Sequence, residues 1–285
     1  MKEAYLYDKL ENKKVKCKAC SHRCIIPDSK KGICRIRENR EGILYSLVYG
    51  KVLGLAIDPI EKKPLYNFHP KSHILSFGTV GCNFKCDFCQ NFHMSFFKEI
   101  IGEDVSMEEI IDAAKRYNCL GIAYTYNEPA IFAEMVYDCS KLAREKGLKN
   151  VIVTNGYMTP EWIDLIGPYI DAANVDLKSF SDEFYKKVCK ASLQPVLNSI
   201  EKMYEMKIHL EITTLVIPGE NDSKAELEQI VNFIASIDKN IPWHISRFSP
   251  AHLMSHKPIT PRKTLEIAKE IGERAGLKYV YLGNV

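Results

Sequence analysis

The pattern of apolar and polar positions changes character near residue 73. From there on, short apolar runs alternate with stretches of helical period. Ile74-Leu75-Ser76-Phe77 reads as a strand closed by Gly78. Gly121 to Tyr124, Val151-Ile152-Val153, Ala172 to Leu177, Ile208 to Ile217, Trp243 to Phe248 and Tyr279 to Leu282 read as further strands. Between them lie helix signals. Ser106 with Glu109 forms a capping box opening a helix to about Tyr117. Ile131, Phe132, Met135, Val136, Cys139, Leu142 and Ala143 fall on one helical face, and Gly147 ends that helix. Thr159 and Pro160 supply an N-cap and a first-turn proline. A helix is expected from Ser181, another from the capping box of Ser223 and Glu226 to about Ile237, and a last one from Thr260-Pro261 to a stop at Gly276.

Strands alternating with helices imply a parallel sheet. The expectation is an α/β fold, a partial (β/α)6 TIM-type barrel over residues 73–285. An open doubly wound sheet has the same pattern, and in both folds ligands sit at the carboxyl ends of the strands. Cys82, Asn127, Thr154, Asp176 and Arg247 all fall at those ends, which points to one shared site. Residues 1–72 follow another pattern. They carry four clustered cysteines, scattered glycines and the run Asp58-Pro59-Ile60-Glu61-Lys62-Lys63-Pro64. They read as a small N-terminal Cys-rich metal module with an approach segment.

Composition narrows the function. Apolar residues make up 46% of the 285 positions, enough for a sizeable core, and the formal net charge is +3, too small to argue for nucleic acid. The start, Met1 to Lys16, is too polar for a secretory signal, and no apolar run is long enough to span a bilayer. The expected location is the cytoplasm. There, ten cysteines favour metal ligation over disulfides.

Cys82, Cys86 and Cys89 have the spacing C-x3-C-x2-C on the loop after the first strand. A [4Fe-4S] cluster usually takes four thiolates. A loop that offers three leaves one iron open to a small molecule, as an open position makes a metal site reactive. The alternative is a closed zinc site with His93 as fourth ligand.

These cysteines, with Phe88 before the last of them, resemble the signature of the radical S-adenosylmethionine (SAM) superfamily. Thr154-Asn155-Gly156, Asp176-Leu177-Lys178 and Val216-Ile217-Pro218-Gly219 resemble motifs of glycyl-radical-enzyme activating enzymes. The N-terminal cysteines, Asp58 to Leu65 and Gly78 to Asn91 resemble the AmmeMemoRadiSam-type radical SAM proteins, homologues of pyruvate formate-lyase activating enzyme. The resemblance implies a [4Fe-4S] cluster and SAM as cofactors. It implies reductive cleavage of SAM to a 5′-deoxyadenosyl radical that takes hydrogen from a substrate, with an electron-donor protein and a protein substrate as partners. It places Asn127, Glu128, Thr154, Asn155, Asp176 and Lys178 at the SAM site. Glu128 would meet the SAM amino group, Lys178 its carboxylate and Asp176 another polar part. Two departures stand out: Tyr126-Asn127-Glu128 replaces a Gly-Gly-Glu segment, and Val153 replaces an Asp, so no cation site is carried over there.

Cys17-x2-Cys20-x3-Cys24-x9-Cys34 closes a four-thiolate site, for zinc or a second iron–sulfur cluster, with zinc slightly favoured by the spacing. Arg23, Lys31, Arg35, Arg37 and Arg40 nearby are expected on a solvated basic face. Arg247 is a candidate for a substrate anion but more simply a rim ion pair. His209, His244, Cys119, Cys139 and Cys189 are expected to be structural. Two other functions fit the composition: radical modification of another protein or a small molecule, and a non-catalytic iron–sulfur or zinc protein.

Overall fold

The computed structural model describes residues 1–285. Its centre is a sheet of seven parallel strands: β1 (His73–Gly78), β2 (Gly121–Tyr124), β3 (Lys149–Thr154), β4 (Ala172–Asp176), β5 (His209–Val216), β6 (Trp243–Arg247) and β7 (Val280–Gly283). They pair in sequence order without a closing bond between the two edges, giving a partial TIM-type barrel. Helices return the chain between successive strands: α1 (Met107–Arg116), α2 (Ala133–Glu145), α3 (Pro160–Ile166), α4 (Gln194–Glu205), α5 (Lys224–Ile237) and α6 (Arg262–Arg274). The strand Lys51–Pro59 pairs antiparallel with β1, so the approach segment extends the sheet.

Register decides what faces inward, because alternate residues of a strand share one side. The convex side carries Leu75, Phe77, Ile122, Ile152, Val175 and Ile212, which join the inner faces of the helices in one large apolar cluster. Each such side chain, fully buried, contributes about 1.5–3 kcal/mol. The concave side is layered. Near the strand starts Ile74, Ala123, Val151 and Ala172 pack on Ile60 and Leu65, so the chain after the edge strand plugs the barrel floor. Above the plug the layer turns polar. The buried Glu211 accepts from the backbone amides of Tyr66 (3.0 Å) and Asn67 (2.7 Å) and meets His209 (3.0 Å) and His244 (2.6 Å), giving both histidines structural partners. Cys119, Cys139 and Cys189 are all buried. No helix is long and apolar enough to cross a membrane.

Two helix starts and one helix end differ from expectation. Ser223 caps α5, but the Glu226 carboxylate reaches away to Ser179 and the Phe180 amide, so the box is not reciprocal. Thr260 does not cap α6; its hydroxyl donates to the Val216 carbonyl (2.6 Å) and accepts from the Phe248 amide. The helix from Ser181 breaks after one wide turn, Tyr185–Cys189, at Lys190, whose φ is +60°.

Candidate active site

The sequence Gly78-Thr79-Val80-Gly81 makes a tight exit from β1. A Cβ on Gly78 would lie 2.5 Å from the Thr125 carbonyl and 2.8 Å from Asn127 Oδ1. Gly81 has φ +94°, a backbone region that favours glycine. Asn127, at the end of β2, staples this exit. Its Oδ1 accepts from Thr79 N (3.2 Å), and its Nδ2 donates to Thr79 Oγ1 (3.0 Å) and to the Gly81 carbonyl (2.9 Å). The loop that follows is clamped by backbone bonds from Lys85 N to the Cys189 carbonyl (3.0 Å) and from Asp87 N to the Val188 carbonyl (3.1 Å). Leu253 N bonds to the Asp87 carbonyl (2.9 Å). Asn91 Nδ2 ties its far end to the Tyr126 carbonyl (2.7 Å).

Cys82, Cys86 and Cys89 thereby face one cavity of about 330 Å³ at the carboxyl ends of the strands. Asn127, Glu128, Thr154, Asn155, Asp176 and Lys178 line it too, so of the residues the sequence placed at the strand ends all but Arg247 share one space. That volume is in the range of small-molecule sites. Burial pushes the Cys82 and Cys89 thiols up, and a contact with Cys189 and then burial do so for Cys86. Thiols so placed are protonated until a metal stabilises the thiolate. Three thiols on a pre-shaped loop beside an open cavity fit a cluster with one iron left for a ligand. His93 is exposed and does not line the cavity, so the trio is not completed by it.

Asp176 and Lys178 lie on the same side of the chain, Lys178 Nζ 2.9 Å from Asp176 Oδ2, with the lysine side chain 13% exposed. Desolvation lowers the Lys178 pKa, but Asp176, Cys86 and Cys189 outweigh it and raise it, so the ammonium stays charged. Glu128 lines the cavity and also supports the neighbouring turn. Its oxygens accept from Ala130 N (3.0 Å), Thr154 Oγ1 (2.9 and 3.0 Å) and Asn155 N (2.8 Å). Three donors, the Thr154 hydroxyl being shared between both oxygens, hold the carboxylate against the Thr154-Asn155 turn. Burial raises its carboxyl to about 7 against the lowering effect of those donors. Arg247 does not line the cavity; its Nε donates to the Thr260 carbonyl (2.8 Å), a backbone contact in place of the expected rim ion pair.

Sequence reasoning missed Lys63 and Tyr126 as cavity residues. Both bond Asp58, from Nζ (2.8 Å) and from the phenol (2.8 Å), and the Lys63 side chain is only 3% exposed. Their place depends on how the barrel plug folds, and no local pattern marks that. Asn83, buried beside Cys82 but lining the neighbouring pocket of Cys17, Cys20, Cys24 and Cys34, was missed as well.

Residues 77–234 match the model of the Radical SAM superfamily. The uncharacterized protein MJ0808 of Methanocaldococcus jannaschii is 46% identical over 288 residues, covering 100% of this chain and 86% of the relative. The pyruvate formate-lyase-activating enzyme of Clostridium pasteurianum is 22% identical over 163 residues, covering 55% of this chain and 67% of that enzyme. Among solved structures, a radical SAM methyltransferase from Sphaerobacter thermophilus aligns over 75% of this chain and 67% of its own, with a TM-score of 0.59 at 15% identity, a likeness of fold.

Proposed function

The chain belongs to the radical SAM superfamily, and on that footing we propose that Cys82, Cys86 and Cys89 hold a [4Fe-4S] cluster with SAM bound beside it in the 330 Å³ cavity. Such a cluster would supply one-electron reduction of SAM, with methionine leaving as the S–C5′ bond breaks and the 5′-deoxyadenosyl group taking a hydrogen atom from the substrate. The chain's own residues bind, orient and shield. Lys178 presents a charged Nζ for the SAM carboxylate, and Asp176, whose Oδ2 pairs with that Nζ, keeps Oδ1 for the ammonium. Glu128 holds Thr154 and Asn155 in place at the cavity wall. Phe84 and Phe88 make part of the cavity wall apolar, and buried walls keep water from a reactive intermediate.

The observation that carries this reading is the convergence of three loop thiols and the Asp176–Lys178 pair on one cavity. The substrate we propose is a polypeptide, as for a glycyl-radical activating enzyme, with an external protein supplying the electron. Phe92 (43% exposed) and Leu253 (62% exposed) favour it, as apolar groups on segments beside the cysteine loop that suit a chain docking there. The similarity to the C. pasteurianum activating enzyme is in keeping with it.

The test is anaerobic reconstitution with iron and sulfide, then SAM and dithionite, with 5′-deoxyadenosine measured by chromatography. The wild type should form it and Cys86→Ala should not. Formation at equal rates in both would remove the loop from the mechanism. A stimulation of turnover by a small metabolite and by no protein would remove the polypeptide substrate alone.

A further inference from the structure

The segment that plugs the barrel floor also brings charge to the cavity wall. Lys62 and Lys63 follow the edge strand Lys51–Pro59, and both line the cavity. Lys62 is open to solvent, whereas Lys63 is 2% exposed. Both ammonium groups meet Asp58, Lys62 at Oδ1 (3.0 Å) and Lys63 at Oδ2 (2.8 Å), and Oδ2 also accepts from the Tyr126 phenol (2.8 Å). Two positive charges against one negative leave this group one positive charge in excess. Lys63 Nζ carries three N–H groups. Asp58 is its one oxygen partner, and the Tyr126 ring lies against it, 4.5 Å from Nζ to the centroid. Burial lowers the Lys63 pKa, Asp58 offsets part of this, and Lys62 adds to it. Lys178 is the contrast, since there Asp176, Cys86 and Cys189 outweigh burial. The Lys63 charge is thus buried with less anion around it than would compensate the loss of water.

The chain holds this ammonium in place through a strained turn. Tyr126 has φ +68°, an outlier for a bulky residue, at the centre of a three-residue turn closed from Asn127 N to the Thr125 carbonyl (2.9 Å). Gly54 makes room for its ring, because a Cβ there would lie 3.1 Å from Cε2. Such strain persists only where the surroundings over-determine it, and it clusters at ligand sites. Here it sets the phenol on Asp58 and the ring against Lys63. The Asp176–Lys178 pair stands elsewhere, at the end of β4, three strands along the sheet from β1. Lys63 is therefore a second buried cation in the cavity, one that the assignment of SAM does not use. On the reading of that cavity as the reaction chamber, we propose that Lys63 binds a carboxylate of the substrate, with Lys62 drawing the anion in at the exposed rim and Asp58 and Tyr126 as positioning residues. One ammonium that already shares a carboxylate suits a singly charged group. On a polypeptide that group is an acidic side chain or the chain's own C-terminus.

The test uses the full chain, reconstituted and loaded with SAM but given no reductant, so that binding is read without turnover. N-acetylglycine presents a terminal carboxylate and N-acetylglutamate methylamide a side-chain one. N-acetylglycinamide and N-acetylglutamine methylamide are their neutral counterparts. Calorimetric titration should show one acid binding roughly 10- to 150-fold more tightly than its amide, and which acid it is identifies the source. Lys63→Met should erase that preference. Asp58→Asn removes the competing charge at nearly constant shape and should strengthen acid binding. Acids and amides that bind alike to the wild type, or a preference that survives in Lys63→Met, would overturn the proposal. Circular dichroism checks folding; should Lys63→Met not fold, Asp58→Asn decides, and an unchanged acid affinity there would overturn it. An acid preference that depends on Lys63, in a protein that forms no 5′-deoxyadenosine, would instead count against the reading of the cavity and leave the carboxylate site standing.

Discussion

Arg37 and Glu134 form an ion pair across the junction between the N-terminal module and α2, with side chains 2% and 0% exposed. Arg37 Nη2 lies 2.8 Å from Glu134 Oε2 and 3.1 Å from Oε1, Nη1 lies 3.1 Å from Oε1, and Nε donates to the Ile131 carbonyl (3.0 Å). Arg37→Met keeps the bulk and removes the charge. It leaves a buried carboxylate with one remaining donor, the Tyr5 amide at 3.1 Å. Breaking a buried pair from one side costs about 3–5 kcal/mol. The double change Arg37→Met with Glu134→Leu removes the stranded charge but orphans the Tyr5 amide, at about 1–3 kcal/mol. It should therefore recover part of the loss, giving a favourable coupling between the sites. Guanidinium unfolding followed by the fluorescence of Trp162 and Trp243, both buried, measures this. The single variant should move the midpoint down with an unchanged slope. A loss below about 1 kcal/mol, the scale of exposed pairs, would refute a dry junction.

Three further outcomes follow from the geometry. Lys178→Ala removes the charged donor assigned to the SAM carboxylate, about 1.5–3 kcal/mol, so SAM affinity in equilibrium dialysis should fall roughly 10- to 150-fold; unchanged affinity would refute that role. Burial alone would raise the Glu211 carboxyl, but His209, His244 and the amides of Asn67 and Tyr66 outweigh it and lower it from 4.5 to about 2. A lowered carboxyl stabilises the fold above its unfolded pKa, here by roughly 3 kcal/mol, and this is lost as pH falls from about 4.5 towards 2. Glu211→Gln should flatten that acid limb in thermal melts, and an unaltered limb would disprove the linkage. Gly78→Ala would drive a Cβ into the Thr125 carbonyl at 2.5 Å, so it should cost about 1–3 kcal/mol and reduce iron uptake by the loop; wild-type uptake and stability would show that the exit from β1 can yield.

Much of the barrel was legible because its strands are short apolar runs bounded by turn residues. Gly121 to Tyr124 lies where the pattern put it, and Ser106 with Glu109 makes the full reciprocal capping box. The Cys82 trio was legible from spacing alone, since a loop must bring its thiols together locally. What stayed hidden depends on contacts distant in sequence. That Glu128 also braces Thr154 and Asn155 shows only once the chain 26 residues further on folds against it. Arg37 reads as a surface charge because its partner lies 97 residues away. The strand Lys51–Pro59 shows no clear apolar alternation, because it lies near the sheet edge and most of its residues are partly or fully exposed. The break after Cys189 left no proline or glycine to mark it; only the positive φ of Lys190 reveals it.

The central claim is that the Cys82 loop carries a cluster with one iron open to SAM. Its most direct test is EPR of the reduced, reconstituted protein with and without SAM labelled with ¹⁷O in the carboxylate or ¹⁵N in the amino group, in a variant with Cys17, Cys20, Cys24 and Cys34 changed to Ala. The account predicts that SAM shifts the cluster signal and that the label couples magnetically to it. A signal indifferent to SAM, with no coupling to the label, would contradict it.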